Sequence, residues 1–390
     1  LPYFQSHQPV REQKDAVGHA VRAMYLYSGM ADVADRTQDE GLKESCRRLA
    51  RSVFERQMYV TGAIGSTPVG EAFSFDYDLP NDTVYGETCA SIGLVFFMRR
   101  MLEVDHEAVY ADVMERALYN TVLAGMGLDG KAFFYVNPLE VYPEADHRDP
   151  NKRHVKTVRQ KWFACACCPP NAARLLSDIG EYIYQLENDA VTVNLFIGSQ
   201  IQGNGFALEQ KSGVPYDGKV IFTVHCEGTK ELTLRIRKPF WAGGVQCNAA
   251  YTEEKDYLLI KKVFADGDAI MLDFAMPVRR VYANAMVRDD VGKVCIMRGP
   301  LVYCLEEADN GKNLHLVRLP EAAAFTPSHG SGILSDITLL EAEGIRQQIT
   351  QNSLYSYEKA ESTAPCRLTF IPYFAWANRG EGEMTVWVRE

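Results

Sequence analysis

The sequence predicts a multidomain chain that is helical in its first part and built of antiparallel β-strands afterwards. Three observations carry this. Apolar residues recur at helical spacing from Val17 through Ala20, Met24, Tyr25 and Met30 to Val33. Near Asn188 and Asp189 the period changes to an alternation of apolar and polar residues. The pairs Asp217-Gly218 and Asp266-Gly267 then supply tight turns between alternating runs.

Taken in order, residues 15–37 and 41–60 carry two helical patterns, and residues 87–102, 106–126 and 170–186 carry three more. Helices joined in pairs by Gly- and Pro-containing loops predict an array of α/α hairpins. Residues 190–202, 218–226, 231–239, 257–264 and 268–284 read as strands of an antiparallel sandwich. A second β segment runs from about residue 287, through 293–307, to 367–390, interrupted by a loop-rich stretch at 322–332. No short repeat is visible, which argues against a propeller or solenoid. The expected division is therefore a helical region over 1–187, a first β-sandwich over 188–286 and a second over 287–390.

With 390 residues and 47% hydrophobic content the chain can fill several cores. A net charge of −10, with no basic run longer than clusters such as "NKRH", argues against nucleic acid as a partner. No apolar stretch approaches the ~20 residues that span a bilayer, which argues against a membrane partner. The chain opens on Leu1 and "PYFQSHQPVREQ", with neither an initiator Met nor the pattern of a signal peptide, so a fragment or processed product is expected. Ten cysteines, sparse outside one cluster, do not resemble a disulfide scaffold and predict a reducing, cytoplasmic compartment.

Residues 70–91, "GEAFSFDYDLPNDTVYGETCAS", place Glu71, Asp76, Asp78, Asp82 and Glu87 among Phe73, Phe75, Tyr77 and Tyr85. That is more aromatic surface than a solvated acidic loop requires, and aromatic-lined acidic loops are common sugar-binding surfaces. Glu87 and Cys89 are two residues apart. Such a pair shares no face of a helix, so both reach one point only from an extended segment or from the irregular start of a helix. The apolar helix after Cys89 fits the second case.

The stretch "ACACCPP" at 164–170 holds Cys165, Cys167 and Cys168. Neighbouring Cys167 and Cys168 are poorly placed to bridge each other, because a disulfide prefers Cα atoms about 5.5 Å apart and neighbours sit at about 3.8 Å. Pro169, Pro170 and Asn171 mark a helix N-terminus, where the helix dipole favours a thiolate. Thiols there are reactive unless something binds them. Zinc would do so, drawing three thiolates and one carboxylate from Glu87, Cys89, Cys167 and Cys168. A metal-free thiol catalyst and inert buried cysteines are the other readings these residues allow, since neither a repeated C-x2-C pair nor H-E-x-x-H is present.

At these residues the sequence resembles glycoside hydrolase family 127, the retaining β-L-arabinofuranosidases. The matching segments are "TGAIGSTPVGEAFSFDYDLPNDTVYGETCASIG", "FFYVNPLE", "KWFACACCPPNAARLL" and "VPYDGKV". The resemblance implies an (α/α)6-barrel catalytic domain followed by β-sandwich domains. It implies zinc held by Glu87, Cys89, Cys167 and Cys168, with Cys167 as nucleophile and Glu71 as general acid/base. His19, in "VGHAVR", and Tyr135, in "FFYVNP", fall at positions that look like the family's sugar-contacting residues. The implied substrate is a terminal β-L-arabinofuranosyl residue of a plant-derived oligosaccharide. Cys165 is left to packing.

The chemistry is self-consistent. A retaining glycosidase needs a nucleophile on one face of the anomeric carbon and an acid that protonates the leaving oxygen. One departure stands out: a complete barrel of this type has about twelve helices, and this chain shows about half that number. The resemblance therefore implies that a long N-terminal segment is absent here. Helix faces left uncovered predict a homodimer or association with that segment. The rival expectation is a truncated, non-catalytic carbohydrate-binding or scaffold homologue that keeps a structural zinc site. A zinc-regulated thiol sensor is a third.

Overall fold

The structure, a computed structural model, describes residues 1–350, 353–357 and 362–390. Helix α1 spans Ala20–Thr37 and begins later than its periodicity predicts. Gly18 and His19 are instead taken by a short antiparallel ladder with Phe73 and Ala72. The His19 ring then caps α1 by accepting the Arg22 N–H, satisfying one of the free donors of the first turn.

Helix α2, Glu40–Arg51, starts at Asp39, whose carboxylate accepts the Leu42 N–H. It runs into a π-turn at Ser52–Gln57. Helix α3, Thr88–Asp105, is buried on almost every side, as its lack of a polar face requires, and packs against α1. It also contacts helix α4, Ala108–Ala117, which continues as a π-turn at Leu118–Val122. A short helix α5, Pro143–Arg148, precedes helix α6, Cys168–Ser177. The predicted helix over 170–186 ends there except for one turn at Gly180–Ile183. Tyr184–Glu187 is a strand, paired antiparallel with Ala190–Val193 across a turn in which Asn188 has a φ of +53°. Ladder bonds to that neighbour outweigh a helical pattern that was only local.

The loops between helices are held by close backbone approach. Gly62 has a φ of +79°, and a Cβ there would lie 2.5 Å from Ala117 Cα and 2.7 Å from Ala117 N. Both the left-handed backbone and the contact with α4 exclude a side chain. Gly62→Ala is expected to destabilise the protein by roughly 2–4 kcal/mol, read as a lower denaturant midpoint. An unchanged midpoint would show that the loop yields.

The middle of the chain forms two five-stranded sheets. One is entirely antiparallel and contains Phe206–Ser212 and Lys219–Cys226; the other contains Thr229–Arg237 and Tyr257–Ala265. In the second sheet Ala190–Val193 pairs parallel to Thr229–Arg237. Alternate residues point inward: Val220, Phe222 and Val224 from one sheet meet Leu232, Leu234 and Ile236 from the other in a shared core.

Among the described residues, the remaining strands make a ten-stranded sheet. Its pairing closes on itself, because Lys293–Arg298 bonds both Leu301–Glu306 and Val388–Arg389. Val278–Val281 lies on its edge beside Lys293–Arg298, and Glu140–Val141 from the helical region pairs with Met384–Thr385. Helical and β regions thus share strands as well as side chains.

A buried polar cluster joins the helical region to the middle sheets. Arg237, fully buried, donates to Glu115 Oε1 at 2.6 Å, to Asp112 and to the Asn194 carbonyl at 2.6 Å. Trp241 Nε1 donates to Glu115 Oε2 at 2.8 Å.

Candidate active site

Glu71 is presented by a tight turn. Thr67 and Ala72 bridge antiparallel, and Gly70 and Glu71 both have positive φ, +74° and +53°. A left-handed glutamate is strained, and such residues concentrate at functional sites. The Glu71 carbonyl accepts the Ala20 N–H, which ties the turn to the start of α1. Its carboxylate meets His19 Nε2 at 3.0 Å through Oε2, and Tyr85 donates its hydroxyl to Oε1 at 2.9 Å.

Glu87 is the residue before α3 and has extended dihedrals, while Cys89 lies in the first turn of that helix. This is the irregular helix start that the spacing of two requires. Backbone contacts hold it: Glu87 bridges Val136, and Thr88 N–H donates to the Tyr135 carbonyl. Cys167 stands at the N-cap of α6 and Cys168 is its first residue. The strand-like segment around Phe133, paired with Gln160, brings Tyr135 alongside.

These elements converge. Ligand atoms of Glu87, Cys89, Cys167 and Cys168 all lie within 4.8 Å of one another, as do those of His19, Glu71 and Glu87. Cys89 Sγ is 3.6 Å from Cys168 Sγ, and Cys167 Sγ is 3.7 Å from Cys168 Sγ and 3.4 Å from Glu87 Oε1. All ten cysteines are free thiols. Burial, with the neighbouring Cys167, pushes the Glu87 carboxyl up to about 8. The thiols of Cys168 and Cys89 hold the Cys167 thiol far below the ordinary cysteine range, and contact with Cys167 raises their own.

Four acids packed this closely cannot all ionise on their own. A divalent cation removes the conflict. Glu87 Oε2 is buried without a hydrogen-bond partner, and three thiols with one carboxyl are donors suited to a tetrahedral metal. The group can hold a metal ion.

The cluster opens into a cavity of about 700 Å³ lined by His19, Glu71, Glu87, Tyr135 and Cys167. The seven residues expected from sequence, His19, Glu71, Glu87, Cys89, Tyr135, Cys167 and Cys168, are therefore brought together. Cys165 is exposed at the cavity and outside the thiol cluster. Sequence reasoning missed Arg22, Arg174 and the Tyr25–Asn171 pair, bonded at 3.0 Å, which also line the cavity. Only the helical periodicity of α1 and α6 could have hinted at them, by placing Arg22 and Asn171 about one turn, and Tyr25 and Arg174 about two turns, beyond His19 and Cys168.

The other acids of the loop turn away. Asp76 pairs with Arg56 at 2.7 Å, Asp78 with Arg288 at 3.2 Å and Asp82 with Lys152 at 2.5 Å. They fasten the loop, while Glu71 and Glu87 face the cavity.

Residues 1–181 match the β-L-arabinofuranosidase GH127 catalytic domain, residues 190–276 the GH127 middle domain and residues 278–389 the glycoside hydrolase family 127 C-terminal domain. The chain is 39% identical to a non-reducing end β-L-arabinofuranosidase of Bifidobacterium longum subsp. longum, over 99% of this chain and 61% of that protein. It superposes on a GH127 β-L-arabinofuranosidase from Geobacillus stearothermophilus T6 with a TM-score of 0.95 at 50% identity, covering 100% of this chain and 63% of the other. A second GH127 β-arabinofuranosidase gives 0.89 at 36% identity, covering 100% and 62%. The chain thus spans about three fifths of the length of these relatives. With three consecutive domain matches and superposition over the whole of this chain, a helical region followed by β-rich units, the chain belongs to glycoside hydrolase family 127.

Proposed function

We propose that the chain is the working part of a retaining glycosidase that releases terminal β-L-arabinofuranosyl residues from plant-derived oligosaccharides. The observation that carries this is one cavity shared by the Cys167 sulfur and the Glu71 carboxyl. Glu87, Cys89, Cys167 and Cys168 are the residues that would hold zinc. Bound zinc would keep the sulfur deprotonated at neutral pH while tempering its basicity.

Cys167 Sγ attacks the anomeric carbon, forming a C–S bond as the bond to the leaving oxygen breaks. Glu71 gives its proton to that oxygen. A water then attacks the same carbon, Glu71 takes its proton, and the sulfur leaves as thiolate. Two inversions return the original configuration. His19 and Tyr135, both on the cavity wall, are proposed to contact the sugar.

The wider reading follows the same lines. The helical region 1–187 is taken as part of an (α/α)6 barrel, with 188–286 and 287–390 as β-sandwich units. Support comes from the α1/α3/α4 packing and from the shared core of the two five-stranded sheets. No helix among the described residues is long and apolar enough to cross a membrane. Ten free thiols support a reducing, cytoplasmic setting.

The test is turnover of an aryl β-L-arabinofuranoside by Cys167→Ser and by Glu71→Gln. Each is expected to lose activity by about 10³-fold or more. Full activity in either variant sinks the assignment, and a zinc-loaded wild type that binds the sugar without turnover supports the binding or scaffold reading instead.

A further inference from the structure

We infer that Tyr85 is a positioning residue: its phenol holds Glu71 Oε1, so that Oε2 is the oxygen that gives and takes the proton. The inference rests on Glu71 being the acid/base.

The two carboxylate oxygens have different surroundings. Oε1 accepts the Tyr85 hydroxyl at 2.9 Å, whereas Oε2 meets His19 Nε2 at 3.0 Å. The Arg22 N–H donates to His19 Nδ1, which leaves Nε2 as the ring nitrogen that donates to Glu71 Oε2. His19 and Glu71 line the cavity and Tyr85 does not. Tyr85 therefore acts on Glu71 from outside the substrate's space.

Tyr85 is also a rigid donor. Its ring meets Tyr135 edge-on at 6.0 Å and stacks on His154 at 6.0 Å with planes 29° apart. His154 Nε2 is anchored on the Thr83 carbonyl at 3.1 Å. The next residue, Gly86, donates its N–H to the Gly65 carbonyl at 2.8 Å, and Asn137 Nδ2 donates to the Gly86 carbonyl at 2.8 Å. Glu71, by contrast, sits on a left-handed turn with a long flexible side chain. A fixed phenol on one oxygen sets where the other points.

The chemistry gives that contact a kinetic signature. As the proton leaves Oε2 for the glycosidic oxygen, the carboxylate gains negative charge that is shared with Oε1. The Tyr85 O–H then donates to an anion, a stronger bond than to a neutral acid. Stabilisation that grows along the reaction lowers the barrier. It does so only where the leaving group needs the proton.

Tyr85→Phe keeps the ring between Tyr135 and His154 and removes the donor. For an alkyl β-L-arabinofuranoside, kcat/KM is expected to fall roughly 10–100-fold, while for a dinitrophenyl β-L-arabinofuranoside, whose departure needs no proton, it is expected to stay at the wild-type value. Bound zinc and the unfolding midpoint are expected to be unchanged. An equal loss for both leaving groups, or no loss for either, overturns the inference. Glu71→Gln run in parallel separates the two claims. If it shows the leaving-group dependence and Tyr85→Phe does not, the positioning role alone fails. If Glu71→Gln is fully active on the alkyl glycoside, the acid/base reading fails and takes the inference with it.

Discussion

Glu115→Ala is expected to cost about 3–5 kcal/mol of folding stability, the range for breaking a buried ion pair from one side. The Glu115 and Arg237 side chains are both fully buried. Removing the carboxylate strips Arg237 of a bond of 2.6 Å and Trp241 Nε1 of one of 2.8 Å. Arg237 keeps Asp112 and the Asn194 carbonyl, but a buried indole N–H is left with no acceptor. Because the cluster spans the helical region and the middle sheets, the loss should appear as early separation of the two in guanidinium denaturation followed by tryptophan fluorescence. A change below about 1 kcal/mol would show that the junction is held by apolar packing instead.

The second large effect concerns metal removal and pH. With the metal stripped, Glu87 has a folded-state pKa of about 8 against an ordinary value of 4.5, raised first by burial and then by Cys167. The folded chain therefore holds a proton there that the unfolded chain has released. Below about pH 4.5 both states are protonated and the associated stability is fully present; it declines as pH rises and is gone above about 8. The difference corresponds to at most about 5 kcal/mol. A bound divalent cation favours the carboxylate and removes this dependence. The gap between thermal midpoints of zinc-loaded and chelator-treated protein is thus expected to widen from about pH 5 to about pH 9. Parallel curves would show that Glu87 is not a ligand.

Much of this was legible in the residues themselves. The change from helical to alternating spacing near Asn188 separates the helical part from the β part, because each period reports which face a residue turns to the core. Glu87-x-Cys89 before an apolar run, and Cys167-Cys168 before two prolines, announce helix starts. Those are local matters, settled by a few neighbouring dihedrals. The strand at Tyr184–Glu187 was not legible, because its pairing partner decides it. Nor was the role of Glu115, which reads as an ordinary helix charge until Arg237, 122 residues later, reaches it.

The sequence by itself determined the donor chemistry and the ends of the helices that carry it, since residue type and local spacing suffice for both. Only the tertiary structure decided which acids face the cavity and which are drawn away from it. Asp76, Asp78 and Asp82 have the same chemistry as Glu71 and Glu87, yet Arg56, Arg288 and Lys152 draw them to the periphery. It also decided that Tyr85 would hold one oxygen of Glu71 and His19 the other. Those choices depend on charges and surfaces far away in the chain, and no local pattern contains them.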